Sequence, residues 1–172
     1  MPRPSPWVIA PPKKVLVVGV ADMLASNDAS AELVTYSLGS CIAVTVYDPV
    51  IRVGGLVHLM LPSASIDVEK AAARPYMFVD TGVPRLFHAL YSFGAEKRRL
   101  VVNAAGGAHF LDDKKLFQIA ERNLTALRRI LDRNGVALGG SDVGGTTSRH
   151  LRLSLAKGEV SVEVPGKPAR RL

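Results

Sequence analysis

The chain has 172 residues, 48% of them hydrophobic, which suits one domain with a sizeable core. Its net charge of +7 sits mostly at the ends: Arg3, Lys13 and Lys14 before residue 15, and Lys167, Arg170 and Arg171 after residue 164, leave the body at only +1. A nucleic-acid footprint is therefore not expected, and no apolar run approaches the ~20 residues of a membrane span.

The Pro-rich start, Met1-Pro2-Arg3-Pro4-Ser5-Pro6-Trp7, lacks the apolar stretch of a signal peptide. Residues 1–14 are expected to form a flexible arm, residues 15–164 a single domain, and residues 165–172 a basic, disordered tail. Val15–Gly19 reads as a strand, and Leu33-Val34-Thr35-Tyr36 is a second apolar run. After the turn Ser37-Leu38-Gly39-Ser40 comes Cys41, the one cysteine, then an alternating run over 42–48 with Ile42, Val44 and Val46 on one face. Asp48-Pro49 breaks that run, 49–52 is short enough for a hairpin loop, and 53–61 returns with Val57, Leu59 and Leu61 sharing a face.

If both apolar sets face one core, Asp48 lies opposite Val53, Cys41 opposite Met60, and His58 is the diagonal neighbour of Cys41 at roughly 7–8 Å between backbones. A one-residue slip would separate the two and scramble the core. The pair is expected on the other face of the hairpin, open to a visiting side chain.

Further on, Asp80 begins a helix closed by Gly94, with Pro84 in its first turn and Val83, Leu86, Phe87 and Leu90 inward. Leu100–Asn103 is a short strand. A longer helix is expected from about Asp112 to Asn134, stopped by Gly135, with Leu116, Ile119, Leu127, Ile130 and Leu131 buried. Val136–Leu138, His150–Leu155 and Val160–Val164 read as strands, the last two joined through Lys157-Gly158. The fold class expected is α/β of the α+β type: a layered sandwich of mainly antiparallel sheet with packed helices.

A thiol beside an imidazole can attack an acyl carbon, since the thiolate is the nucleophile and histidine can generate it. Thr35, six residues before Cys41, can orient the imidazole as the third member of a triad does. Against this, a lone cysteine is commonly a small buried hydrophobe, and histidine and threonine in strands are ordinary. Gly39 and Ser40 are candidates to bind an oxyanion, and Gly106-Gly107 either admits substrate backbone or makes a tight turn. His88, His109 and His150 lack metal-ligand spacing, Gly144-Gly145 lacks the lysine of a phosphate loop, and no metal or cofactor is expected. One cysteine forms no internal disulfide, which suits the cytoplasm.

Tyr36-Ser37-Leu38-Gly39-Ser40-Cys41-Ile42-Ala43-Val44, then Tyr47-Asp48-Pro49 and Gly54-Gly55-Leu56-Val57-His58-Leu59-Met60-Leu61-Pro62, resemble the signature of the CheD family of chemoreceptor glutamine deamidases. So do Asp80-Thr81-Gly82-Val83-Pro84, Asn103-Ala104-Ala105-Gly106-Gly107-Ala108, Ile119-Ala120-Glu121-Arg122-Asn123 and Asp142-Val143-Gly144-Gly145. The resemblance spans about residues 15–164, and the family's catalytic cysteine, histidine and threonine fall on Cys41, His58 and Thr35. It departs at Asn103-Ala104-Ala105, where Lys-Val-Phe is common, and at Ser148-Arg149, where Gly-Arg is usual.

The resemblance implies a cytoplasmic protein-glutamine deamidase acting on the helical cytoplasmic domains of chemoreceptors, with a CheC-type phosphatase as a further partner. Two other readings remain at this point: another Cys–His amidohydrolase or transglutaminase-like enzyme acting on a different protein, and a non-catalytic adaptor binding receptors or a phosphatase.

Overall fold

The computed structural model describes residues 12–109 and 114–172, with backbone alone for 115–117. In chain order the elements are β1 (Lys14–Val17), β2 (Asp22–Ser26), β3 (Ala31–Leu38), β4 (Ile42–Asp48), β5 (Val53–Leu59), α1 (Val68–Ala73), α2 (Val79–Ser92), β6 (Val101–Gly106), α3 (Lys114–Arg133), β7 (Gly140–Val143), β8 (Arg149–Ser154), β9 (Val160–Glu163) and β10 (Arg170–Arg171). The expected arm falls largely on residues 1–11, which lie outside the described residues, as do Asp112 and Asp113 at the expected helix start.

Two five-stranded sheets form, ordered β1-β3-β8-β9-β10 and β2-β5-β4-β6-β7. Their pairings are antiparallel except β1 with β3 and β6 with β7. They face each other across a core that includes Leu33, Leu38, Leu151 and Leu153 from the first sheet and Ala43, Tyr47, Leu56 and Ala105 from the second. The other face of the second sheet carries Ile42, Val44, Val46, Val57 and Leu59 against Val83, Leu86 and Leu90 of α2 and Leu124, Leu127 and Leu131 of α3. This is the expected α/β sandwich of sheet and helices, stacked as sheet, sheet and helices.

The β4–β5 hairpin has the expected register, with Asp48 opposite Val53 and Ile42 opposite Leu59. Its second face is not open, however. Every residue of β4 and β5 is buried, because the first sheet covers the side that bears Ala43, Tyr47 and Leu56. Tyr47 tolerates this burial by donating its hydroxyl proton to the Leu155 carbonyl at 3.0 Å. The β8–β9 turn passes so close that a Cβ on Gly158, at φ 69°, would sit 2.3 Å from the Tyr47 ring.

Two expectations are corrected. The strand placed over Val136–Leu138 lies at Gly140–Val143 instead, beside β6. Gly140 donates to Asn103 Oδ1 at 2.7 Å, and a Cβ there would come within 3.0 Å of that oxygen, so this glycine marks the close approach that starts the strand. The tail expected to be disordered returns as β10 along β9. Its basic residues find carboxylates: Arg170 pairs with Asp142, and Arg171 with Glu159 at 3.2 Å. Leu172 N–H closes on the Val160 carbonyl at 2.9 Å.

Asp48 anchors the hairpin turn. Fully buried, its carboxylate accepts from Val50 N–H, Glu96 N–H and Arg99. Burial pushes its pKa up, but Arg99 and the backbone donors outweigh that and hold it below the ordinary carboxylate value. A depressed carboxylate contributes stability above its unfolded pKa and loses it as pH falls through the folded value. Asp48→Asn is therefore expected to cost on the order of 2 kcal/mol at neutral pH, and in urea melts the difference from wild type should persist down to about pH 4 and shrink only below it, as pH falls through the depressed folded value.

Candidate active site

β3 and β5 lie in different sheets, and each points one polar side chain into the space between them. Thr35 and His58 are 0% and 1% exposed, and Thr35 Oγ1 lies 2.8 Å from His58 Nδ1. The same hydroxyl is 2.8 Å from the Val18 carbonyl. A carbonyl accepts only, and a threonine hydroxyl has one proton, so Oγ1 donates to Val18 and accepts from the ring. His58 is thereby held as the Nδ1–H tautomer, with the lone pair on Nε2. That buried Nε2 has no hydrogen-bond partner among the described residues. An unpaired buried acceptor costs about 1–3 kcal/mol.

Cys41 sits immediately before β4, is half-buried and forms no disulfide. Met60, which the register extrapolates to face it, is not paired with it: the ladder ends at Ile42 and Leu59, and Met60 N–H donates to the Met77 carbonyl at 2.8 Å instead. The loop carrying Cys41 is held by its carbonyls. Ala108 N–H donates to Gly39 at 2.7 Å and Gly107 N–H to Cys41 at 2.7 Å. A Cβ on Gly106, at φ 113°, would lie 2.2 Å from the Cys41 carbonyl oxygen, so glycine alone lets the two segments meet.

Gly106 and Gly107 thus support the Cys41 loop, and the Gly107 N–H, a candidate donor to substrate, is already occupied. Gly39 differs: a Cβ there would meet nothing within 4 Å, so the loop faces open space just before the cysteine.

Electrostatics favour the neutral pair. Burial raises the Cys41 thiol pKa and lowers that of His58 to about 4. The free protein therefore holds a thiol and a neutral imidazole at pH 7.

Sequence reasoning missed Asn123. It is fully buried on α3, and its Nδ2 donates to the carbonyls of Ser40 at 3.1 Å and Met60 at 3.0 Å. The available signal was an amide in a stripe otherwise made of Ala120, Leu124, Leu127 and Leu131. His150 lies away from this pair, accepting from Ser37 N–H at 3.0 Å and stacking edge-on with Tyr36. Among the described residues, no cluster of three or more His, Cys, Asp or Glu side chains is arranged to hold a metal ion.

Residues 60–164 match the family described as CheD chemotactic sensory transduction. A Syntrophus aciditrophicus protein named "Probable chemoreceptor glutamine deamidase CheD 1" is 46% identical over 91% of this chain and 98% of its own length. A Solibacter usitatus protein named "Probable chemoreceptor glutamine deamidase CheD" is 44% identical over 88% and 90%. An Anaeromyxobacter dehalogenans protein named "Probable chemoreceptor glutamine deamidase CheD 2" is 46% identical over 87% and 94%. The family match begins after Cys41 and His58, whereas the three relatives align over most of the chain.

Proposed function

This chain belongs to the CheD family of chemotactic sensory transduction proteins, and on that footing we propose that it hydrolyses glutamine side-chain amides on chemoreceptors through a Cys41 thioester. The observation that carries this reading is the Thr35–His58 hydrogen bond, which leaves a bare Nε2 on the strand beside the cysteine.

In this mechanism His58 Nε2 takes the thiol proton as Cys41 Sγ bonds to the carboxamide carbon. The amide oxygen becomes an oxyanion, and backbone N–H groups near Gly39–Cys41 are its proposed donors. As the oxyanion collapses, the C–N bond breaks and His58 returns the proton to nitrogen, releasing ammonia. His58 then takes a proton from water, the resulting hydroxide attacks the thioester, the C–S bond breaks and the thiol is restored. The product is glutamate, a carboxylate where the receptor carried a neutral amide. Cys41, the one cysteine, suits action in a reducing cytoplasm.

The test is incubation with a chemoreceptor cytoplasmic domain, following ammonia and peptide masses. Ammonia release matched by a gain of about one mass unit at glutamines is expected; no conversion by folded protein would overturn the reading. Thr35→Val removes the acceptor that holds the Nδ1–H tautomer, so kcat should fall roughly 10- to 100-fold, as is typical when a histidine's orienting partner is lost. KM should change little, because Thr35 is buried behind the ring.

A further inference from the structure

We propose that Asn123 is a positioning residue that sets the gap between the Cys41 thiol and the His58 ring by clipping together the two chain segments that carry them. The inference rests on the deamidase reading and deepens it. The β4–β5 ladder ends at Ile42 and Leu59. One step on, the backbones turn to other partners: Met60 N–H donates to the Met77 carbonyl, and the Cys41 carbonyl accepts from Gly107. The hairpin is open at the place where the nucleophile and base must keep their spacing.

Asn123 closes that opening from α3. One nitrogen donates to Ser40, bonded directly to Cys41, and to Met60, two residues from His58 on the same segment. A primary amide is suited to this because its nitrogen carries two protons in a fixed plane, whereas a carboxylate would turn lone pairs toward both carbonyls. Its own Oδ1 is buried without a partner among the described residues, so the side chain is not placed there to satisfy itself. Ala120, Leu124 and Leu127 are buried on the same helix and fix its height. His58 is separately tied to Thr35. The clip therefore sets where Cys41 stands relative to an already anchored ring.

Asn123→Ala and Asn123→Ser test this with two readouts: steady-state kinetics on a chemoreceptor cytoplasmic domain, and the pH profile of Cys41 alkylation by iodoacetamide. Both are run well below each variant's melting temperature. Asn123→Ala should lower kcat about 10- to 100-fold, the scale of a small misplacement of reacting groups, with KM within about twofold. Its alkylation rate near neutral pH should fall to that of His58→Ala, because the thiol has lost its base. Asn123→Ser, with one donor, should lie between alanine and wild type.

Wild-type kcat and alkylation in both variants would overturn the proposal. So would failure of both to fold, which would make the amide a stability element alone. Should wild-type protein release no ammonia, the deamidase reading falls, while the alkylation comparison still decides whether Asn123 couples Cys41 to His58.

Discussion

Cys41→Ala is expected to reduce ammonia release from receptor glutamines on the order of 10⁵-fold or more, below what an ammonia assay resolves. The thioester route needs the sulfur atom itself, and water has no comparable path to an unactivated amide in this site. Folding should survive. The side chain is half-buried at the edge of the inter-sheet core, and removing one sulfur there costs about 1 kcal/mol. A circular dichroism melt close to wild type, alongside lost turnover, is the expected pair of results. Residual turnover within tenfold of wild type would exclude Cys41 as the nucleophile.

His58→Gln is expected to lower kcat about 10²- to 10⁴-fold, the usual value of a positioned acid–base group. Glutamine retains bulk and an N–H for Thr35 but cannot relay the proton. The same variant reads the ring's burial through stability. The folded pKa of about 4 lies below the 6.5 of an ordinary histidine, so the unfolded chain binds more protons between the two. The stabilising contribution is thus complete above 6.5 and is lost as pH falls toward 4, a change of up to roughly 3 kcal/mol. Urea melts of wild type against His58→Gln over that range should show the wild-type slope flattened in the variant. An unchanged slope would mean that the ring is solvated.

The hairpin register was legible because alternating Ile42, Val44 and Val46 had to face the same core as Val57 and Leu59, and one pairing does this across a four-residue loop. That pairing sets His58 opposite Ala43, two residues along the strand from Cys41. What covers the pair was not legible. Ala43, Thr45 and Tyr47 read as the wet side of a strand, yet they are buried against a second sheet, with Tyr47 satisfied by Leu155 more than a hundred positions away.

The strand Asp22–Ser26 escaped notice because five residues of mixed polarity carry no period, and its place is set by pairing with β5. Pairing also explains the C-terminal strand: basic residues read as solvated until Asp142 and Glu159 lie beside them. Thr35 was expected to orient His58, but its tautomer follows only from the Val18 carbonyl, which no spacing in the sequence connects to it.

The most direct test of the central claim is partitioning by hydroxylamine. Wild-type protein turning over a receptor domain in added hydroxylamine should form γ-glutamyl hydroxamate at the same glutamines that otherwise become glutamate. The hydroxamate fraction should rise with hydroxylamine concentration while ammonia release is not slowed, because both nucleophiles compete for one thioester formed earlier. Glutamate as the sole product at every hydroxylamine concentration, with turnover intact, would contradict a covalent route through Cys41.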